Sequence, residues 1–147
     1  SLTVGIGAGR RAAALFPNHV MLDLANVDRG EIGARWPSSI EDICAAIRFA
    51  TRPDHQVVFD SRILNMNPHG PRLANVGWLT YIAAKTGAST SEPRTPDVVD
   101  VFRPSSSSLI AQFDSDMDEI AEADITGLRD SLVASGWLRT PAWWAER

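Results

Sequence analysis

The chain has a single cysteine and no run approaching the roughly eighteen consecutive apolar residues that a membrane-spanning helix needs. One cysteine excludes an internal disulfide framework and a cysteine metal cluster. In "IEDICAAIRFA" Cys44 falls on the apolar side of a helical pattern, where a small buried thiol is expected. The first residues, "SLTVGIGAG", lack the basic flank and long apolar centre of a signal peptide, so a cytoplasmic location is expected. Basic residues are in deficit. The 14 Lys and Arg are outnumbered by 18 Asp and Glu, for a net charge of −4, whereas binding to phosphate requires a basic face. Nucleic acid is therefore not expected as a direct ligand, and an acidic chain favours basic partners.

The usual catalytic groupings are also missing. His19, His55 and His69 are scattered with no H-x-x-x-H or comparable metal spacing, and "GIGAG" is not followed by the Lys-Ser or Lys-Thr of a phosphate loop. The serines of "SSSS", Ser105 to Ser108, lack the glycines of a nucleophile elbow and read as a polar turn. Asp54, His55 and Asp60 are neighbours in sequence, which does not imply convergence in space. No catalytic residue, resident metal or cofactor is expected.

At 147 residues and 44% hydrophobic, the chain is long enough to bury one core, and a single domain, 1–147, is expected. It opens at Ser1 with "SLTV" already strand-like, which suggests the C-terminal portion of a longer chain. "RAAALF" stops at Pro17, and "HVMLDLA" alternates as a second strand. "WPSSIEDICAAIRFATRPD" reads as a helix. Ser38 and Glu41 form a capping box, Ile40, Ile43, Cys44, Ile47 and Phe49 give the apolar face, and Pro53 lies beyond the end. "QVVFDS" is strand-like, and "RILNMNPHGPRLAN" is expected to be a loop because Pro68, Gly70 and Pro71 forbid regular structure.

"VGWLTYIAA" packs β-branched and aromatic residues between turn signals and reads as a strand covered at least partly on both faces. Trp78 and Tyr81 lie three apart and so point to opposite sides. Trp78 is expected to have a structural role in the core, with Tyr81 at a surface or partner groove; Gly77 permits close packing or a bulge. "VVDVF" and "SLIAQF" look like adjacent strands joined by the flexible turn "RPSSSS". A last helix runs through "MDEIAEADITGLRDSLVASGWL". Met117, Ile120, Ile125, Leu128, Leu132 and Val133 can share one face, and Gly136 after Ser135 suits a left-handed cap. The sum is an α+β fold: a mostly antiparallel sheet with two main helices packed against it. The tail "TPAWWAER" admits two readings, with Trp143 and Trp144 either capping the core or forming an adhesive contact.

Two local features carry functional hypotheses. Gly7-Ala8-Gly9-Arg10-Arg11-Ala12 matches the G-x-G-x-x-A of a dinucleotide site, with Asp23 as the ribose-binding acid. Pro17 leaves only about two helical turns, fewer than the dozen or more residues that a crossover between parallel strands requires, so a Gly-rich turn between antiparallel strands competes with it. The second feature is "FDSDMDEIAEAD", where Asp114, Asp116, Asp118, Glu119, Glu122 and Asp124 follow one another with no basic residue among them. Acids in a first helical turn complement the macrodipole, and Ser115 or Asp116 can cap, so a solvated helix start accounts for part of the run. The alternation of Asp114, Asp116 and Asp118 would also place them on one side of an extended segment, a negative patch able to steer a basic partner. The same stretch has the first three acids of a calcium loop but neither its central glycine nor its final glutamate.

The order "SLTVGIGAG", "FPNHVMLDL", "IRFATRPDHQVV", "GWLTYIA", a Val-rich strand, "LIAQFDSD" and a helix ending "LVASGWL" resembles immunity protein family fifty-two of bacterial polymorphic toxin systems. Gly77, Trp78, Thr80 and Tyr81 match the family's G-W-x-T-Y strand, and Pro17, Asn18 and Leu22 also match the family, while "SSSSLI" has serines where a glycine is usual. The likeness runs from Ser1 to Leu138, without the additional N-terminal α/β portion that members tend to carry. The resemblance implies a cytoplasmic antidote with no catalytic residues and no cofactor. Its partner would be a cognate secreted toxin, a nuclease of restriction-endonuclease-like fold, met through Asp114, Asp116, Asp118, Glu119, Glu122 and Tyr81, with neither membrane nor nucleic acid as a direct ligand.

Overall fold

The computed structural model describes residues 36–52, 55–59, 61–67, 75–84 and 89–138. The expected strands before residue 36, the Gly7 and Gly9 turn with Asp23, and the tryptophans of the tail lie outside these residues. Two compact units, Ser1–Gln56 and Val57–Arg147, divide the chain. Among the described residues the elements in order are α1 (Trp36–Thr51), β1 (His55–Val58), α2 (Ser61–Met66), β2 (Leu79–Ala83), β3 (Val99–Ser105), β4 (Ser108–Phe113), a 3-10 turn (Met117–Glu119) and α3 (Glu122–Ala134). The fold is α+β. Its sheet has the order β1-β2-β4-β3, with both β2 and β3 antiparallel to β4.

In the first unit, α1 begins at Trp36, so Ser38 lies inside the helix and not at its cap, which corrects the capping box expected from Ser38 and Glu41. Pro37 is tolerated there because its missing amide is among those a first turn leaves unpaired in any case. The buried stripe is narrower than the apolar pattern suggested. Ile40 and Cys44 are buried, but Ile43 is 41% exposed and Phe49 is 89% exposed. At 100° per residue Phe49 falls half a turn away from Ile40, on the face opposite the buried stripe. The helix closes as Arg52 donates its amide to the Arg48 carbonyl (3.0 Å) at a positive φ of 46°. Arg48 Nη1 then donates to Gln56 Oε1 (2.9 Å), and Gln56 Nε2 to the Cys44 carbonyl (3.4 Å), tying α1 to the strand that follows.

In the second unit, "SRILNM" is helical where a loop was expected. Asn67 supplies the reason. Its side chain is 2% exposed; Nδ2 donates to the Ile63 and Val76 carbonyls, and Oδ1 accepts the Val76 amide, each at 2.9 Å. One amide thereby ends α2 and fixes the approach to β2, a contact between distant residues that local turn signals do not reveal. Gly77 and Thr80 shape the start of β2. The Gly77 amide donates to Thr80 Oγ1 (3.0 Å), which donates in turn to the Gly77 carbonyl (3.4 Å). A Cβ on Gly77 would collide with the Val58 carbonyl oxygen and lie 2.7 Å from Val57 Cγ1, so this glycine is required for close packing. Trp78 is buried, with its Nε1 donating to the Ser115 carbonyl at 3.1 Å.

β3 and β4 form a hairpin whose loop is only Ser106 and Ser107, since Ser105 pairs with Ser108. The "RPSSSS" turn is therefore shorter than expected, and β3 runs through Arg103 and Pro104. Between Phe102 and Ser105 the register slips by one, so β3 carries an extra residue around Pro104. A proline has no amide for the ladder, and a bulge on an edge strand is where one is tolerated. The hydroxyls tie the loop together, with Ser105 Oγ 2.7 Å from Ser108 Oγ and the Ser107 amide donating to Ser105 Oγ at 3.3 Å.

Because β4 lies between β2 and β3, the chain after β2 must return along the sheet before β3 can begin. It does so beside α3. The Ser91 amide donates to the Ser135 carbonyl (2.9 Å), the buried Trp137 donates Nε1 to the Ser91 carbonyl (2.8 Å), and Pro96 lies against Gly127. α3 ends in a Schellman motif at Gly136, whose φ is +79°; the Trp137 amide donates to the Leu132 carbonyl (2.9 Å) and the Gly136 amide to Val133 (3.1 Å). The inward stripe of α3 is Ile125, Leu128 and Leu132, all fully buried, and α2 packs against this helix. Val133, expected on that face, is 45% exposed.

Candidate functional site

The acidic run does not begin the last helix, as the sequence suggested. After Phe113 the chain bends, Met117–Glu119 makes a single 3-10 turn, and α3 starts only at Glu122. Asp116 is in extended conformation and makes no side-chain cap. The capping carboxylate is Asp124, whose Oδ2 accepts the Ala121 amide at 3.4 Å. Asp114, Asp116 and Asp118 thus do not share one side of an extended strand, because the tight turn rotates Asp118 away from the alternation.

The turn is imposed from outside. Arg62, on α2, donates Nη1 to the Ile120 carbonyl at 2.8 Å and Nη2 to the Met117 carbonyl. A guanidinium presents several donors in a rigid fork, so one side chain can hold two carbonyls that a one-turn helix leaves open. Ile120, between these contacts and α3, is buried at 2% exposure and anchors the turn in the core. Arg62 engages the inner, backbone side of the segment, while Asp114, Asp116, Asp118, Glu119 and Glu122 are all exposed.

The hairpin adds acids that the linear run did not contain. Asp100 pairs with Gln112, and the Asp114 amide donates to the Val98 carbonyl at 3.1 Å, which brings exposed Asp97 and Asp100 to the same end of the sheet as Asp114. The signal for this was present in the pairing of "VVDVF" with "SLIAQF", but the register depends on the length of the serine turn. Tyr81, on β2, pairs with Ile110 and is half-buried.

Among the described residues, no group of three or more His, Cys, Asp or Glu is arranged to hold a metal ion. His55 lies on β1, while its sequence neighbours Asp54 and Asp60, the other two histidines and the dinucleotide-like turn lie outside the described residues. Cys44 is buried, and burial pushes its thiol above the ordinary value; Arg48 pulls it down and Glu41 raises it. No helix among the described residues is long and apolar enough to cross a membrane.

No family model, curated protein or solved structure matches this chain.

Proposed function

We propose that this chain is an immunity-type antidote that binds a cognate bacterial toxin in the cytoplasm and masks its active surface. The observation that carries this reading is the exposed acidic junction between β4 and α3, enlarged by Asp97 and Asp100. A nuclease of restriction-endonuclease-like fold is the toxin class such a surface suits, because a site that holds phosphates must be electropositive. The resemblance of "GWLTYIA" and the elements around it to immunity protein family fifty-two supports the same choice.

Binding of this kind needs no catalytic residue or cofactor on the antidote. Opposed charge on the two surfaces raises the association rate, while a few desolvated side chains set how long the complex lasts. The test is protection. A toxin-type reading frame adjacent to this gene, where one is identified, should arrest growth when expressed alone, and co-expression of the chain should restore it. Continued arrest with folded chain present at comparable amount would overturn the proposal.

A further inference from the structure

The pairing register sets one row of side chains across three strands. Tyr81 on β2 and Phe102 on β3 are both Cα partners of Ile110 on β4, and directly paired residues project to the same side of a sheet. Two residues along, Leu79, Gln112 and Asp100 form the next row on that side, buried at Leu79 on β2 and exposed at Asp100 on the edge, and the ladder bond from the Asp114 amide carries the alternation one step past β4. On the opposite side Thr80, Ile82, Val99, Leu109, Ala111 and Phe113 are buried and Val101 is half-buried. Exposure along the first row rises toward the edge, from half-buried Tyr81 and Ile110 to Phe102 at 52%.

We infer that this side of the β3–β4 hairpin is a docking face for a basic protein, which sets an apolar side chain against Phe102 and Ile110 and cationic side chains against Asp100 and Asp114. The charge on the page favours that occupant. Both acids on this side are exposed, whereas the neighbouring cation, Arg103, is held elsewhere, 3.0 Å from Glu92 Oε2 and stacked 4.7 Å from the centre of the Trp137 ring. The face is favoured over the strand edge because the bulge and Pro104 spoil the outer ladder of β3 for an added strand. The choice of a toxin as the natural partner rests on the antidote reading; the face itself rests on register, exposure and charge.

The test uses the full chain, labelled for amide spectroscopy, and a capped synthetic peptide with a leucine-tryptophan centre flanked by arginines. Saturable shifts at Phe102, Ile110 and Asp100 are expected. Phe102→Ser should weaken binding by about tenfold or more with the thermal midpoint retained, as truncation of an anchor does. Asp100→Asn should weaken it at low salt more than at high salt. Equal binding by Phe102→Ser, or shifts confined to 116–122, would overturn the inference. So would a chain that is dimeric until Phe102→Ser makes it monomeric, because a second copy would then be the occupant. The co-expression assay keeps the two ideas apart. Full protection by Phe102→Ser overturns the face and leaves the antidote standing, whereas peptide binding at the face without protection by the natural chain leaves the face and removes the antidote.

Discussion

Asn67 and Gly136 each hold two parts of the second unit together, in different ways. Asn67 bonds three backbone groups from a position that is 2% exposed, so replacing it removes the partner of the buried Val76 amide and carbonyl without water to compensate. Asn67→Ala is expected to cost about 3 kcal/mol in urea unfolding, with the slope of the transition unchanged. Gly136 is constrained twice, by its φ of +79° and by the Ser89 carbonyl oxygen, which would lie 2.7 Å from an added Cβ. Asparagine tolerates the left-handed region better than alanine does, so if only the backbone angle mattered Gly136→Asn would recover most of the loss. The close approach to Ser89 affects both side chains alike. Gly136→Ala and Gly136→Asn are therefore expected to be destabilised by similar amounts, each about 2 kcal/mol or more in the same unfolding measurement.

Among the elements, the 3-10 turn depends most on a side chain remote in sequence. Its Glu119 amide bonds to the Asp116 carbonyl at 3.0 Å, and the carbonyls of Met117 and Ile120 are held by Arg62. Arg62 Nε is buried without a hydrogen-bond partner, so the gain from the two carbonyl bonds is partly offset. Arg62→Met is expected to lower global stability by only about 1–2 kcal/mol while the Glu119 amide exchanges with solvent at least about tenfold faster. Unchanged exchange at Glu119 would show that Ile120 alone positions the turn. The hairpin contrasts with this dependence, since its serine hydroxyls bond to one another and to the backbone within the loop.

On the scale of the whole molecule the net charge is −4, and among the described residues exposed acids gather where the β3–β4 ladder ends and α3 begins. Under the proposed antidote function, reversing Asp114, Asp116 and Asp118 to lysine should slow association with a basic toxin and flatten its dependence on salt. The thermal midpoint should barely move, because these side chains are exposed. Stopped-flow association at low and high ionic strength checks this expectation; an unchanged rate at low salt would place the patch outside the interface.

Sequence alone determined the features set by local chemistry. The bounds of β4 follow from "SLIAQF", the left-handed cap follows from a glycine after the last helical turn, and the Ile40 and Cys44 stripe of α1 follows from helical spacing. The α+β class follows from the same patterns. Tertiary structure decided the rest. A six-residue helix ending at Met66 and closed by Asn67, and a 3-10 turn held by Arg62, are too short to be stable by propensity, and their stabilising partners lie far along the chain. The candidate face was divided for the same reason: Tyr81 and the acidic run were legible separately, but Phe102 and Asp100 joined them only through a register fixed by a two-residue turn and a bulge at Pro104. Pairing with period two makes a single slipped residue decide which side chains share a face, and no local pattern in "RPSSSS" specified that slip.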